Sequence, residues 1–111
     1  MRNEIKNGAL VIYPEGNLTS LEISTPLVQL IKTNINAGIK RIIFNFSGVH
    51  FIGSTALGVL LIAFIKARKA GGELIICNIP EQMEELLEIT KLQDTFTRQP
   101  DEAAALKYLG R

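Results

Sequence analysis

The sequence predicts an α/β fold: one domain over residues 1–111, with a mixed, mostly parallel β-sheet and about four helices. Apolar residues make up 47% of the 111 residues and charged residues 21%, so the composition favours a folded domain with a buried core. From residue 40 onward, short apolar runs alternate with helical patterns. This alternation is typical of parallel strands joined by right-handed helical crossovers.

The first element is a strand in GALVIYP (Gly8 to Pro14), a β-branched run that ends at proline. The preceding residues, RNEIKN, are expected to pair with this strand, because Asn7-Gly8 is a hairpin turn signal. The sheet therefore begins at a predicted hairpin.

Helical spacing follows in NLTSLEISTPLVQLIKTNINAG, where four apolar side chains share one side: Leu27, Leu30, Ile31 and Ile35. Two starts compete for this helix. Thr19 with Glu22 forms a capping box, whereas the Ser-Thr pair before Pro26 suits a helix that begins at the proline. We expect a helical turn from Thr19, a disturbance at Pro26 and an end at Gly38.

The remaining elements alternate in type. KRIIFNF (Lys40 to Phe46) and ELIICNI are near-continuous apolar runs, as in strands that are covered on both faces. A helix is predicted from Thr55 to Ala70, with Phe51 and Ile52 completing the link to it. PEQMEELLEITKL predicts an amphipathic helix with proline and acids in its first turn. A short extended piece around residues 95–97 and a last helix from Asp101 complete the fold.

Composition excludes several functional classes. Lysine and arginine number 12 against 11 acids, and the net charge of +1 gives no general reason to expect nucleic acid as a partner. The longest apolar run, Ala56 to Ile65, is about half the ~20 residues of a spanning helix. No signal peptide pattern is visible. We therefore expect a soluble, cytoplasmic protein with no direct membrane insertion.

No pattern typical of an enzyme site is found. The single histidine, His50, and the single cysteine, Cys77, leave no metal cluster or catalytic triad. Glycine-rich phosphate loops are absent, and the glutamates of EQMEELLE have the spacing of a solvated helix face. We expect no catalytic activity, cofactor or metal; a small enzyme or ligand carrier is the disfavoured alternative.

The stretch FIGSTALGVLL contains the candidate site. We expect Gly53 to let the backbone turn sharply and Ser54 to occupy the N-cap of the following helix. One interpretation is a capping serine. The other is a modified hydroxyl, because a phosphate there would meet unpaired backbone N–H groups and the positive end of the helix dipole. Residue types alone leave both interpretations open.

The same helix carries a second candidate feature. One side gathers most of its apolar residues, and the opposite side carries Lys66 and Lys69. Between these lysines lies an apolar strip with two central and two edge residues: Gly58 and Ile62, with Val59 and Ile65 at the edges. The strip is either a protein-docking surface or a patch buried under a neighbouring loop.

The segment FNFSGVHFIGSTALGVLL resembles the central signature of the anti-sigma-factor antagonists, which are STAS domains. The similarity continues through KARKAGGELIICNI and MEELLEITKLQDTF to the DEAAAL tail, so it spans nearly the whole chain. The resemblance implies a small sheet sided by helices, no catalysis and regulation of transcription by partner switching. It further implies that an anti-sigma factor serine kinase phosphorylates Ser54, with Thr55 as the second candidate. The unphosphorylated form would bind that kinase and free a sigma factor, and a serine phosphatase would reset the switch.

The chain departs from this family at several positions. Where the family usually has acids, four other residues occur: Asn17, Thr19, Asn45 and Gly53. The site would then keep its hydroxyl but lack the surrounding carboxylates. Some STAS domains are non-phosphorylated scaffolds in signalling complexes or accessory subunits of membrane transport systems, which is the alternative function. The expected partner contacts are Gly53, Ser54 and Thr55 together with the apolar strip.

Overall fold

The computed structural model describes residues 2–19 and 24–110, leaving out the side chains of Ser24 and Thr25. The described residues contain seven strands and four helices. In chain order they are β1 (Arg2–Lys6), β2 (Ala9–Tyr13), β3 (Gly16–Leu18), α1 (Ser24–Asn36), β4 (Arg41–Asn45), β5 (Val49–Ile52), α2 (Ser54–Lys69), β6 (Glu73–Cys77), α3 (Glu81–Ile89), β7 (Thr97–Gln99) and α4 (Glu102–Leu109).

The main sheet is mixed and mostly parallel, as predicted. Its five strands lie in the order β1-β2-β4-β6-β7. Only β1 is antiparallel to its neighbour; the three other pairings are parallel. The hairpin turn has φ angles of 51° at Asn7 and 79° at Gly8, the left-handed values that an Asn-Gly turn supplies at low steric cost. The hairpin prediction is confirmed.

Helices cover both faces of this sheet. Leu10 and Ile12 of β2 point into the core shared with α1, α2 and α3, whereas Val11 points into a second core shared with α4. In β4, Phe44 belongs to the first core and Ile43 to the second. Both strands are therefore apolar on both faces, which is why their sequences show near-continuous apolar runs.

The first helix differs from the prediction at its start. Among the described residues α1 begins at Ser24 and runs through Pro26 without a break. A proline in the first turn costs no hydrogen bond, because those N–H groups have no partner within the helix, so the predicted disturbance is wrong. The expected turn from Thr19 falls largely on residues 20–23, outside the described residues. The helix ends at Asn36, two residues before Gly38, whose φ is 91°.

A second, two-stranded sheet was not predicted. β3 and β5 pair in parallel, with Asn17 opposite Phe51 and Leu18 opposite Ile52. The prediction that Phe51 and Ile52 only complete a link is therefore wrong. These strands have three and four residues, too few to show a period, and about 30 residues separate them. β5 of the small sheet leads directly into α2.

The C-terminal elements follow the prediction. The extended piece appears as β7, which begins at Thr97, two residues later than the start of the predicted range. Asp101 caps α4, since its Oδ1 accepts a hydrogen bond of 2.8 Å from the backbone N–H of Ala104.

Candidate functional site

The candidate site lies where β5 passes into α2. β5 ends at Ile52 and α2 begins at Ser54, so Gly53 alone joins them. The Gly53 N–H donates to the carbonyl oxygen of Leu18 at 2.9 Å. Its own carbonyl accepts the first helical hydrogen bond, from the N–H of Leu57, at 3.0 Å. Gly53 is thus bound to β3 on one side and to the first turn of the helix on the other.

These contacts correct the predicted roles of two residues. Gly53, not Ser54, is the N-cap, with φ −91° and ψ 170° and no side-chain capping bond. Since φ is negative, the bend does not require glycine, and the expected sharp glycine turn is wrong. Ser54 is the first helical residue, and it is exposed. The capping-serine interpretation fails, because the chain enters the helix one residue earlier than predicted.

A side chain from another helix fixes the backbone that leads into α2. Gln82 of α3 accepts a hydrogen bond from the N–H of Ile52 at 2.8 Å and donates to its carbonyl oxygen at 2.9 Å. The amide thus pairs with the backbone of β5 as a neighbouring strand would. Nothing in the sequence marks Gln82 for this role, because the contact joins residues 30 positions apart. Gln82 positions the residue that directly precedes Gly53.

Phe51 is an exposed aromatic residue beside the helix start. It is 41% exposed, and a Cβ placed on Gly53 would lie 3.8 Å from the Phe51 ring. Phe51 was not predicted as a site residue, because it was assigned to a link. An exposed aromatic side chain next to a helix N-terminus adds apolar contact area to the site.

The outer face of α2 carries a continuous exposed ridge. We define the exposed ridge by five residues: Ser54, Thr55, Gly58, Ile62 and Ile65. Ile62 is 48% and Ile65 43% exposed, so burial under a loop is the wrong interpretation for these two side chains. Val59 was expected at the edge of the apolar strip, but it is only 5% exposed and packs in the first core. Val59 is too deeply buried to be a partner contact.

The four positions where the family usually has acids do not form one group. Thr19 lies next to Gly53, since a Cβ on Gly53 would be 3.8 Å from the Thr19 Cα. Asn17 stands opposite Phe51 in the small sheet. Asn45, however, is buried on the α4 face of the main sheet, away from α2. The expectation that all four surround a phosphate is therefore wrong for Asn45.

Asn45 belongs to a polar cluster that joins β1, β4 and α4. Its Oδ1 accepts a hydrogen bond of 2.9 Å from the N–H of Ser47, and its Nδ2 donates to Glu102 at 3.2 Å. Lys6 donates to the other Glu102 oxygen at 2.7 Å. Burial raises the pKa of Glu102, but hydrogen bonding from its neighbours, Lys6 foremost, outweighs it, so the pKa lies below its usual value. An aspartate at position 45 could not donate to this carboxylate.

The other reactive residues found in the sequence are not brought together. His50 is exposed on β5, whereas Cys77 is fully buried and burial raises its pKa to about 12. Over residues 2–19 and 24–110, no three His, Cys, Asp or Glu side chains are placed to hold a metal ion. The small cavity beneath α2 is lined by apolar residues such as Phe44 and Leu60. Within the same ranges, no helix combines the length and apolar character needed to cross a membrane.

The fold and site define a small α/β domain that presents two hydroxyl residues, Ser54 and Thr55, at one end of an exposed ridge. The family model described as STAS domain matches residues 1–105. The chain therefore belongs to the STAS domain family.

Individual relatives are distant but cover almost the whole chain. BtrV of Bordetella bronchiseptica, provisionally named an anti-sigma factor antagonist, is 24% identical over 103 residues, which are 92% of this chain and 88% of BtrV. The phosphorylated form of the Bacillus cell fate determinant SpoIIAA has a TM-score of 0.75 and 22% identity, covering 96% of this chain and 97% of that one. A sulfate transporter family protein from Wolinella succinogenes has a TM-score of 0.82 and 15% identity, covering 96% and 88%. The two structures share the fold of this chain.

Proposed function

We propose that this protein is an anti-sigma-factor antagonist that acts by partner switching, with no catalytic activity, and is regulated by phosphorylation of Ser54. The observation that carries the proposal is the exposed hydroxyl of Ser54 on the first residue of α2, at one end of the exposed ridge. Similarity to BtrV and to phosphorylated SpoIIAA supports it. The second candidate acceptor is Thr55, which is also exposed.

The local chemistry favours a phosphate on Ser54. The first N–H groups of a helix have no partner within the helix, and the helix dipole places positive potential there. Backbone donors of this kind bind phosphate without basic side chains. The neighbouring positions in the small sheet and its exit carry Asn17, Thr19 and Gly53 instead of carboxylates, so a phosphate would meet little like charge.

The exposed ridge is the proposed contact for an anti-sigma factor serine kinase. Unphosphorylated Ser54 and Thr55, with Gly53 and the apolar ridge residues, would bind the kinase and free a sigma factor. Phosphorylation adds ~1.5 to 2 negative charges at neutral pH. At an interface that also includes exposed apolar side chains such as Phe51 and Ile62, such a charge is costly to desolvate, so the kinase would dissociate. A serine phosphatase would return the domain to its binding state.

Phosphorylation is expected on Ser54 and not on Thr55. The protein would be incubated with ATP and the anti-sigma kinase of its own host, and the phosphopeptides mapped by mass spectrometry. Ser54→Ala should abolish the modification, whereas the matched control Thr55→Ala should keep it. Phosphate on Thr55, or an unmodified protein beside an active kinase, would contradict the assignment.

The second candidate function is a non-phosphorylated STAS scaffold or accessory subunit of a signalling complex or a membrane transport system. It is favoured by the likeness to the Wolinella sulfate transporter family protein. Under this function the intact mass stays unchanged with kinase and ATP, and Ser54→Asp leaves partner binding intact. Under the first function, Ser54→Asp weakens binding to the kinase.

Phosphorylation of Ser54 should change the stability of the domain little or raise it slightly. Binding of an anion at a helix N-terminus is worth about 0.3 to 1 kcal/mol, and no carboxylate at positions 17, 19 or 53 opposes it. Thermal melts of the modified and unmodified protein would measure the change. Switching would then come from the partner's surface and not from refolding of the domain.

Gly53→Asp is the control for this electrostatic explanation. The position accepts a side chain, because φ is −91° and the nearest atom to an added Cβ is 3.6 Å away. Phosphorylation should lower the melting temperature of this variant relative to its own unmodified form, since it places a carboxylate beside the phosphate. A parent protein that melts several degrees lower once phosphorylated would contradict the explanation.

A further inference from the structure

The small net charge hides an uneven distribution of charges. All 11 acidic residues lie outside the stretch from residue 23 to residue 72, whereas six of the 12 lysines and arginines lie within it. This stretch forms α1, β4, β5 and α2. Two of the three helices on one face of the sheet, α1 and α2, therefore carry no acidic residue among their described positions.

A basic groove runs between the C-terminal parts of α1 and α2. We define the basic groove by five lining residues: Lys32, Ile35, Lys66, Lys69 and Ala70. The three lysines are exposed, and the ion pairs formed by residues 2–19 and 24–110 do not include them. On α2, Lys66 and Lys69 follow Ile62 and Ile65, the apolar end of the exposed ridge, by one helical turn.

The third helix on this face carries the opposite charge. Glu81, Glu85 and Glu88 of α3 follow each other at four and three residues, so they lie on one side of the helix, and all three are exposed. We call these residues the acidic stripe. They also take no part in the ion pairs of the described residues. Next to them, Ile89 is 77% exposed at the end of the helix.

The basic groove and the acidic stripe can pair between two copies of the chain. α1, α2 and α3 pack into the same core, so both features belong to one helical layer. Ile62, Lys66 and Lys69 have the same four-and-three spacing as the acidic stripe, so the side chains of two helices that run in the same direction can meet in register. A two-fold axis would pair the groove of each copy with the stripe of the other.

We propose that this helical layer is the contact surface for a second copy of the chain, in a two-fold dimer. Each copy contributes three unpaired lysines and three unpaired glutamates among its described residues, and the exposed isoleucines at 62, 65 and 89 lie beside them. Nucleic acid or an anionic membrane would match the lysines alone and would be repelled by the adjacent acidic stripe. A second copy matches both features.

This dimer goes beyond the proposed function and is independent of Ser54. It uses the Ile62 and Ile65 end of the exposed ridge, so a kinase and a second copy would compete for that end. Loss of dimerisation with intact phosphorylation would reject only the dimer. Loss of phosphorylation with intact dimerisation would reject only the switch.

Sedimentation velocity across a concentration series tests the dimer. In low salt, the mass should rise from the 12.2 kDa of the monomer to twice that value and then stay constant. Added salt should dissociate it, because the Debye length falls to ~3 Å at 1 M. The double variant Lys66→Glu with Lys69→Glu should weaken the dimer at least tenfold, and so should Glu85→Lys with Glu88→Lys.

An equimolar mixture of the two double variants is the decisive sample. The groove made acidic in the first variant then faces the stripe made basic in the second, and the unchanged acidic stripe faces the unchanged basic groove. A heterodimer should therefore form with an affinity close to that of the parent. Circular dichroism melts would show that each variant is folded. Three outcomes overturn the proposal: a monomer at all concentrations, a mass that keeps growing beyond two copies, or variants that dimerise separately but not as a mixture.

Discussion

Val59→Asp should destabilise the protein by about 3 kcal/mol or more, whereas Ile62→Asp should cost less than about 0.5 kcal/mol. The two residues are three positions apart on α2, but Val59 is 5% exposed and Ile62 is 48% exposed. A carboxylate at Val59 would be buried without a partner in the apolar first core. At Ile62 it would stay in water.

Urea denaturation followed by circular dichroism would measure both variants. Val59→Ala is the matched control, because it removes packing without introducing a charge, and it should be less destabilised than Val59→Asp. Equal losses of stability in Val59→Asp and Ile62→Asp would show that the outer face of α2 is buried at Ile62. Under the proposed function, Ile62→Asp should also weaken binding to the anti-sigma kinase by about tenfold or more, as expected for a central apolar contact.

Glu102→Gln should lower the stability by about 1 to 2 kcal/mol at neutral pH. The carboxylate accepts hydrogen bonds from Lys6 at 2.7 Å and from Asn45 at 3.2 Å. Bonds to charged groups are worth more than neutral ones, although the partial exposure of Lys6 reduces the effect here. Denaturant unfolding of both proteins at several pH values would give the difference. Asp94→Asn, at an exposed position outside the proposed dimer surface, is the control and should be close to neutral.

The difference in folding stability between the parent protein and Glu102→Gln should change with pH at both the acidic and the alkaline end of the range. The pKa of Glu102 is lower in the folded state than its usual value of 4.5, so its contribution is present above pH 4.5 and is lost as the pH falls through the folded pKa. Hydrogen bonding to Glu102 raises the pKa of Lys6 above its usual 10.5. That contribution is therefore present below pH 10.5 and lost at more alkaline pH. A difference that stayed constant on acidification would contradict the assigned ion pair.

Local sequence patterns were sufficient for most of the secondary structure. The hairpin at Asn7-Gly8, the doubly covered strand around Phe44 and the last helix from Asp101 all lie where the sequence predicted them. In each case the deciding signal extends over a few neighbouring residues, such as a turn dipeptide or an apolar run. The position of the Ser54 hydroxyl at the start of the helix was also predictable, because glycine, hydroxyl residues and a helical pattern follow each other directly.

The α/β class, the hydroxyl at the start of the central helix and the apolar residues on its outer face all follow from the amino-acid sequence. The pairing of β3 with β5, the hold of Gln82 on Ile52, the bond of Asn45 to Glu102 and the burial of Val59 emerge only once the elements pack together. The two groups differ in the range of the interactions. Hydrophobic periodicity and helix capping act between neighbouring residues. The tertiary contacts of Gln82 and Asn45 join residues 30 and 57 positions apart and depend on which elements pack together.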